Sequence, residues 1–157
     1  MKNVYEVMDE FLKATNKEER IQVLRRNHTG PFESFLVGVF HPAIQFPEAL
    51  KKVEFKRDDI PAGMAYVNFQ SEARRMYLYV KDHKNAPHGL TDERRVVLFT
   101  QMLEGMEPRE GDMMMRLVNK DLKIPYLTPK LVEEAYPHVD LGLKKAEPEV
   151  EEFPATS

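Results

Sequence analysis

An all-α fold, a compact bundle of about six to seven helices, is what the amino-acid sequence predicts, and three observations predict it. Apolar residues recur at three- and four-residue spacing in separate stretches along the chain. Helix-starting and helix-stopping residues bracket those stretches. At 157 residues, with 42% hydrophobic and 31% charged, the chain is long enough to enclose a core and too apolar to stay disordered.

The first helix is expected over 4–14, with Val4, Tyr5, Met8, Phe11 and Leu12 on one face. Asn16 can cap a second helix reaching Arg26, and Glu19 three residues on completes a capping-box pattern. Ile21 and Leu24 form its apolar stripe, and Asn27-His28-Thr29-Gly30 ends it. Pro31 suits the first turn of a third helix. Phe32 to Phe40 is so apolar that both sides should be covered, which makes it a central element. From His41 to Met64, Pro42, Pro47 and Pro61 rule out one long helix and leave an irregular connection with at most one helical turn.

Ala73, Met76, Tyr77 and Val80 then predict a helix from about Ser71 to His83. Thr91, with Asp92 and Glu93 behind it, caps a helix running to about Met106. Pro108 opens another, whose apolar side is Met113, Met114, Leu117 and Val118, to about Lys120. Thr128-Pro129 starts a last short helix lined by Leu131, Val132, Ala135 and Tyr136, and Pro137 stops it. One helical domain over 1–143 is followed by a tail, 144–157, rich in Glu and Pro and expected to be disordered and solubilising. Two Lys against four Glu place much of the net charge of −3 in that tail.

Several function classes find no support. There is no apolar run long enough for a membrane span, and the start of the sequence lacks the pattern of a secretion signal. Without cysteine there is no disulfide, thiolate metal site or cysteine nucleophile, so a reducing cytoplasm is compatible. The five histidines, His28, His41, His83, His88 and His138, sit near turns without HxxxH or HExxH spacing, so no metal site is expected. No Gly-rich phosphate loop occurs, and Asp58-Asp59 and Glu133-Glu134 are adjacent pairs that a helix would point apart. No cofactor, catalytic residue or small-molecule substrate is expected.

Two mixtures have alternative readings. Met113-Met114-Met115 is read as core filling rather than a docking surface. Tyr66, Phe69, Tyr77 and Tyr79 interleave with Arg74, Arg75 and Lys81, which could serve base stacking and phosphate contact; core aromatics beside a solvated basic face is the preferred reading.

A resemblance rests on Leu98-Phe99, Met102-Leu103, Met114 to Leu117, Asn119-Lys120-Asp121-Leu122-Lys123-Ile124, and Val132 through Ala135-Tyr136-Pro137. That order resembles the helical N-terminal DNA-binding domain of ATP-dependent DNA ligases, especially those of tailed phages. The apolar first helix and the charged second helix ending at Arg26-Asn27 are similar too. The chain also looks close to small phage proteins that share Glu72-Ala73-Arg74-Arg75 and the 119–124 turn. It departs from the ligases in lacking a KxDG motif and the domain that carries it, so ligation by this chain alone is excluded.

The resemblance therefore implies a non-enzymatic phage accessory protein in the host cytoplasm or associated with the virion. Its partner would be double-stranded DNA, contacted near Lys120, Lys123, Thr128 and Lys130. From Arg109 to Lys130 five Lys or Arg stand against three Asp or Glu, a local excess of base in an acidic protein. The same 119–124 segment can also be read as structural, with Leu122 and Ile124 plugging the core. On that reading the domain is a protein-interaction or virion-assembly module, binding phage or host proteins and not DNA.

Overall fold

The computed structural model describes residues 2–55, 65 and 67–142, and those residues form an all-α bundle with no strand among them. Seven α-helices follow in order: α1 Val4–Lys13, α2 Lys17–Arg26, α3 Gly30–Phe40, α4 Phe69–Glu72, α5 Asp92–Glu104, α6 Pro108–Asn119 and α7 Pro129–Ala135. Two 3₁₀ segments, Glu48–Lys52 and Ala73–Tyr79, are interspersed. The expected tail over 144–157, together with Asp58-Asp59 and Tyr66, lies outside the described residues.

Short polar side chains start the helices where the sequence places them. Asn16 accepts from the Glu19 amide at 2.9 Å, Thr91 from Arg94 at 3.1 Å and Thr128 from Leu131 at 3.1 Å, each meeting an amide the helix cannot pair internally. The Glu19 carboxylate, however, accepts from the amide and hydroxyl of Thr15, one residue ahead of the cap, so the box closes a position early. Thr29, read as part of the stop after α2, is the cap of α3 and accepts from Phe32 at 3.0 Å. Pro31, Pro108 and Pro129 all occupy first turns.

One hydrophobic cluster, running from Val4 to Leu141, is shared by every helix. At its centre α6 touches α1, α3 and α5, while α2 bridges α1 and α7. Phe32, Phe35 and Leu36 of α3 are fully enclosed, in keeping with a central position. Met113 and Met114 are core and Met115 is half-buried, so the methionine run fills space. Leu117, Leu122 and Val132 are buried and Leu98 packs on the cluster from its edge.

The helix expected over 71–83 is a correction. A single α-turn at Phe69–Glu72 gives way to the 3₁₀ segment Ala73–Tyr79. Ala73, Met76 and Tyr79, spaced by three, all pack on the core, and a three-residue period eclipses its side chains only in a 3₁₀ geometry. Tyr79 therefore turns in, and Tyr77, which a 3.6-residue period would bury, is exposed. With Phe69 also buried, most of the aromatic and basic mixture divides into core rings and a wet face carrying Arg74 and Arg75.

Side chains from distant helices cap several termini. Glu110 of α6 is buried and accepts from the amides of Val4 and Tyr5 at 3.1 Å each, and from the Phe69 amide, so it closes the starts of both α1 and α4. Arg25 of α2 donates to the carbonyls of Ala135 and Glu134 at the end of α7. Arg95 does the same for Leu78 in the second 3₁₀ segment. No described helix is long and apolar enough to cross a membrane.

Candidate nucleic-acid interface

The chain between α6 and α7 makes a compact turn with three non-glycine residues in the left-handed region, Lys120 (φ 56°), Lys123 (φ 57°) and Tyr126 (φ 70°). Such backbone costs roughly 1–2 kcal/mol per residue, so the surroundings must hold it. Leu122 and Leu127 do so by burying their side chains, and Arg116 donates to the Leu122 carbonyl at 2.8 Å. The structural reading of Leu122 is thus what the packing shows.

The four residues expected to contact DNA are not brought together. Lys120 turns inward, and its Nζ donates to the carbonyls of Gly38 and His41 at 2.8 Å and of Ile44 at 2.5 Å. All three ammonium protons are engaged, two of them at the carbonyl end of α3, where the His41 oxygen also accepts the Ile44 amide at 3.1 Å, which leaves none for a phosphate. Burial first, then the charge of Lys51, pulls the Lys120 ammonium down to about 8, which still leaves it charged at neutral pH. Lys123 is exposed and lines two depressions, a shallow one shared with Lys120, Phe40 and Leu127 and a mixed-charge one with Asp112, Arg116 and Asp121, both away from Thr128 and Lys130.

Thr128 and Lys130 do converge, and they meet residues that the sequence keeps far away. Because α2 packs against α7, Lys17 and Arg20 join Tyr126, Thr128, Lys130, Leu131 and Glu134 around an open cleft of about 310 Å³. Tyr126 is 67% exposed, the most exposed of the large apolar side chains among the described residues. Arg20 stacks on its ring with the guanidinium carbon 3.8 Å from the centroid. Lys17 is paired with Glu134 at 2.8 Å on the surface, a contact of little energetic weight that a phosphate could replace. The Thr128 hydroxyl is occupied as the cap of α7. The cleft is therefore a stacking ring flanked by three cations and one carboxylate.

A family model for a family of unknown function, DUF6433, matches residues 7–124. The chain belongs to that family. No curated protein and no solved structure matches it. The DUF6433 match includes Lys17 and Arg20 on one side of the cleft and stops just short of Tyr126, Thr128 and Lys130 on the other.

Elsewhere on this DUF6433 chain, His28, Glu33 and His138 form a cluster that linear spacing does not reveal. One carboxylate oxygen of Glu33 lies 2.7 Å from Nε2 of His28 and 2.7 Å from Nε2 of His138. Burial pushes the Glu33 carboxyl up, but the hydrogen bonds from the two imidazoles outweigh it and hold the group below its usual range. The remaining histidines behave as turn residues: Nδ1 of His41 accepts from the Ala43 amide and Nδ1 of His83 from the Asn85 amide, both at 3.0 Å.

Proposed function

We propose that this protein is a non-enzymatic accessory factor that binds DNA through the α2–α7 face, with a phage setting taken from the ligase-like resemblance. The observation that carries the proposal is Tyr126, a bulky side chain kept in left-handed backbone and in solvent with Arg20 lying on its ring. Neither position serves the core. An exposed ring is a platform for a base, and Lys17, Arg20 and Lys130 around it supply phosphate contacts. The proposal moves the interface away from Lys120 and Lys123, since the first is engaged by carbonyls and the second stands beside Asp112 and Asp121.

Fluorescence anisotropy with labelled duplex and single-stranded oligonucleotides tests it. Three phosphate contacts predict an affinity that falls roughly tens-fold between 50 and 200 mM salt. The combined variant Lys17→Glu, Arg20→Glu and Lys130→Glu should abolish binding while far-UV circular dichroism stays unchanged, because all three residues lie at the surface. No binding of either oligonucleotide by the unmutated chain at low salt defeats the proposal.

A second reading, a protein-interaction or virion-assembly module, draws on the net charge of −3 and on exposed Leu12 and Val97. A pull-down from infected cells that recovers nucleic acid and no protein partner counts against it.

A further inference from the structure

We propose that His28, Glu33 and His138 form a binding site for a divalent transition-metal ion of the zinc type, which clamps the segment following α7 to the α2–α3 corner. The three come from separate parts of the chain. His28 is in the turn after α2, Glu33 is in the first turn of α3, and His138 follows the end of α7. Their donor atoms nonetheless all lie within 4.8 Å of one another.

Two imidazole nitrogens and a carboxylate oxygen are a donor set that zinc and its neighbours favour and that magnesium and calcium do not. Around a tetrahedral zinc, donors about 2.0–2.1 Å from the metal stand roughly 3.3 Å apart. The present separations of 2.7 Å from the Glu33 oxygen to each Nε2 would open by well under an ångström. Side chains that are half-buried or exposed can make that movement.

The supports behind the donors are built in. Thr29 caps α3 and fixes the turn that carries Glu33. Tyr136, buried and donating its hydroxyl to the Leu24 carbonyl at 2.5 Å, packs edge-on against the His28 ring at 4.9 Å and lies beside the His138 ring at 6.2 Å. Such backing fixes ring orientation before any ion arrives. Partial exposure of all three donors leaves room for water in the fourth position. A metal here would join positions 110 residues apart in the chain, so its binding would raise stability through mass action on the folded state alone.

The test is calorimetric titration of the full chain, dialysed against chelator, with zinc chloride at pH 7.5, alongside His28→Ala, His138→Ala and the surface control His88→Ala. The expected result is one equivalent of zinc at micromolar affinity, weakened at least about tenfold in the first two variants and unchanged in the control. Millimolar magnesium should not compete. A zinc-dependent rise in melting temperature should appear in the unmutated chain and vanish in the double variant His28→Ala with His138→Ala. No heat of binding up to about 1 mM zinc, or binding that survives the double variant, overturns the proposal.

Discussion

The ammonium of Lys120, at the end of α6, donates to the carbonyl oxygen of Gly38 in the last turn of α3 at 2.8 Å. Two further carbonyls, of His41 and Ile44, complete its shell, so one side chain ends one helix and locks the chain leaving another. Lys120→Met keeps the stem and removes the donors, and should cost about 2 kcal/mol by taking the ammonium from the carbonyls of Gly38 and Ile44, whereas the His41 carbonyl keeps the Ile44 amide. Lys120→Gly loses the same donors but relieves the left-handed backbone, and should be about 1 kcal/mol more stable than Lys120→Ala. Urea denaturation of the three variants reads both effects. A neutral Lys120→Met would mean that the ammonium does not hold α3.

Glu110 makes the corresponding prediction for helix starts. It is 1% exposed and accepts amides from α1 and α4. Glu110→Ala should cost about 2–4 kcal/mol, and Glu110→Gln, which keeps one acceptor oxygen, about half of that. Burial raises the carboxyl against the three amides that lower it, and Glu107 raises it further. An acid raised in the fold contributes stability at low pH and loses it as pH climbs through the folded value. Glu110→Gln should therefore show its smallest deficit at neutral pH and a larger one below about pH 4, where the native carboxyl is protonated.

The acid limb has the opposite sign at Glu10. Lys2 most of all, with Asn27 and Arg26, brings that carboxyl down to about 2 despite a little burial. A lowered acid gives stability above its unfolded value of about 4.5 and surrenders it as pH falls toward 2. Solvent around this network limits the gain to about 1 kcal/mol. Glu10→Gln should flatten the fall in urea-measured stability between pH 4.5 and pH 2, and an unchanged slope would assign that fall to other carboxylates.

What could be read from the sequence was what a single element decides for itself. Asn16, Thr91 and Thr128 cap helices because the amide each one meets is three residues away, and the stripe of α6 is buried because its spacing is helical. On α1 the same spacing buries Val4, Met8 and Phe11, while Val7 turns inward and Leu12, expected on that face, is 51% exposed. Ala73 to Tyr79 misled because Tyr77 and Tyr79 offer the core two rings two residues apart, and only packing chooses between them. The same limit applied to the candidate site. Lys120 in a turn looks like a solvated cation, and nothing local tells that α3 ends beneath it and turns its carbonyls toward the ammonium. Tyr126 gains meaning only once α2 lies on α7 and Arg20 reaches its ring, a contact across more than a hundred residues. His28 and His138 meet for the same reason, through Glu33 and not through spacing.

The interface proposal makes its sharpest prediction where function and stability separate. Tyr126→Gly removes an exposed ring and frees a backbone that a side chain strains, while giving up the Arg20 stack and some chain stiffness. These effects nearly cancel, so stability should stay within about 0.5 kcal/mol of the unmutated chain. Oligonucleotide affinity should nevertheless fall about tenfold, the worth of one stacked base. Lys130→Glu should weaken binding and lessen its salt dependence, because it removes a phosphate contact. Lys123→Glu, in the neighbouring depression beside Asp112 and Asp121, should leave both affinity and salt slope unchanged. If Lys123→Glu weakens binding as much as Lys130→Glu while Tyr126→Gly has no effect, the nucleic acid runs along the α6 side of the turn and the α2–α7 cleft is not its seat.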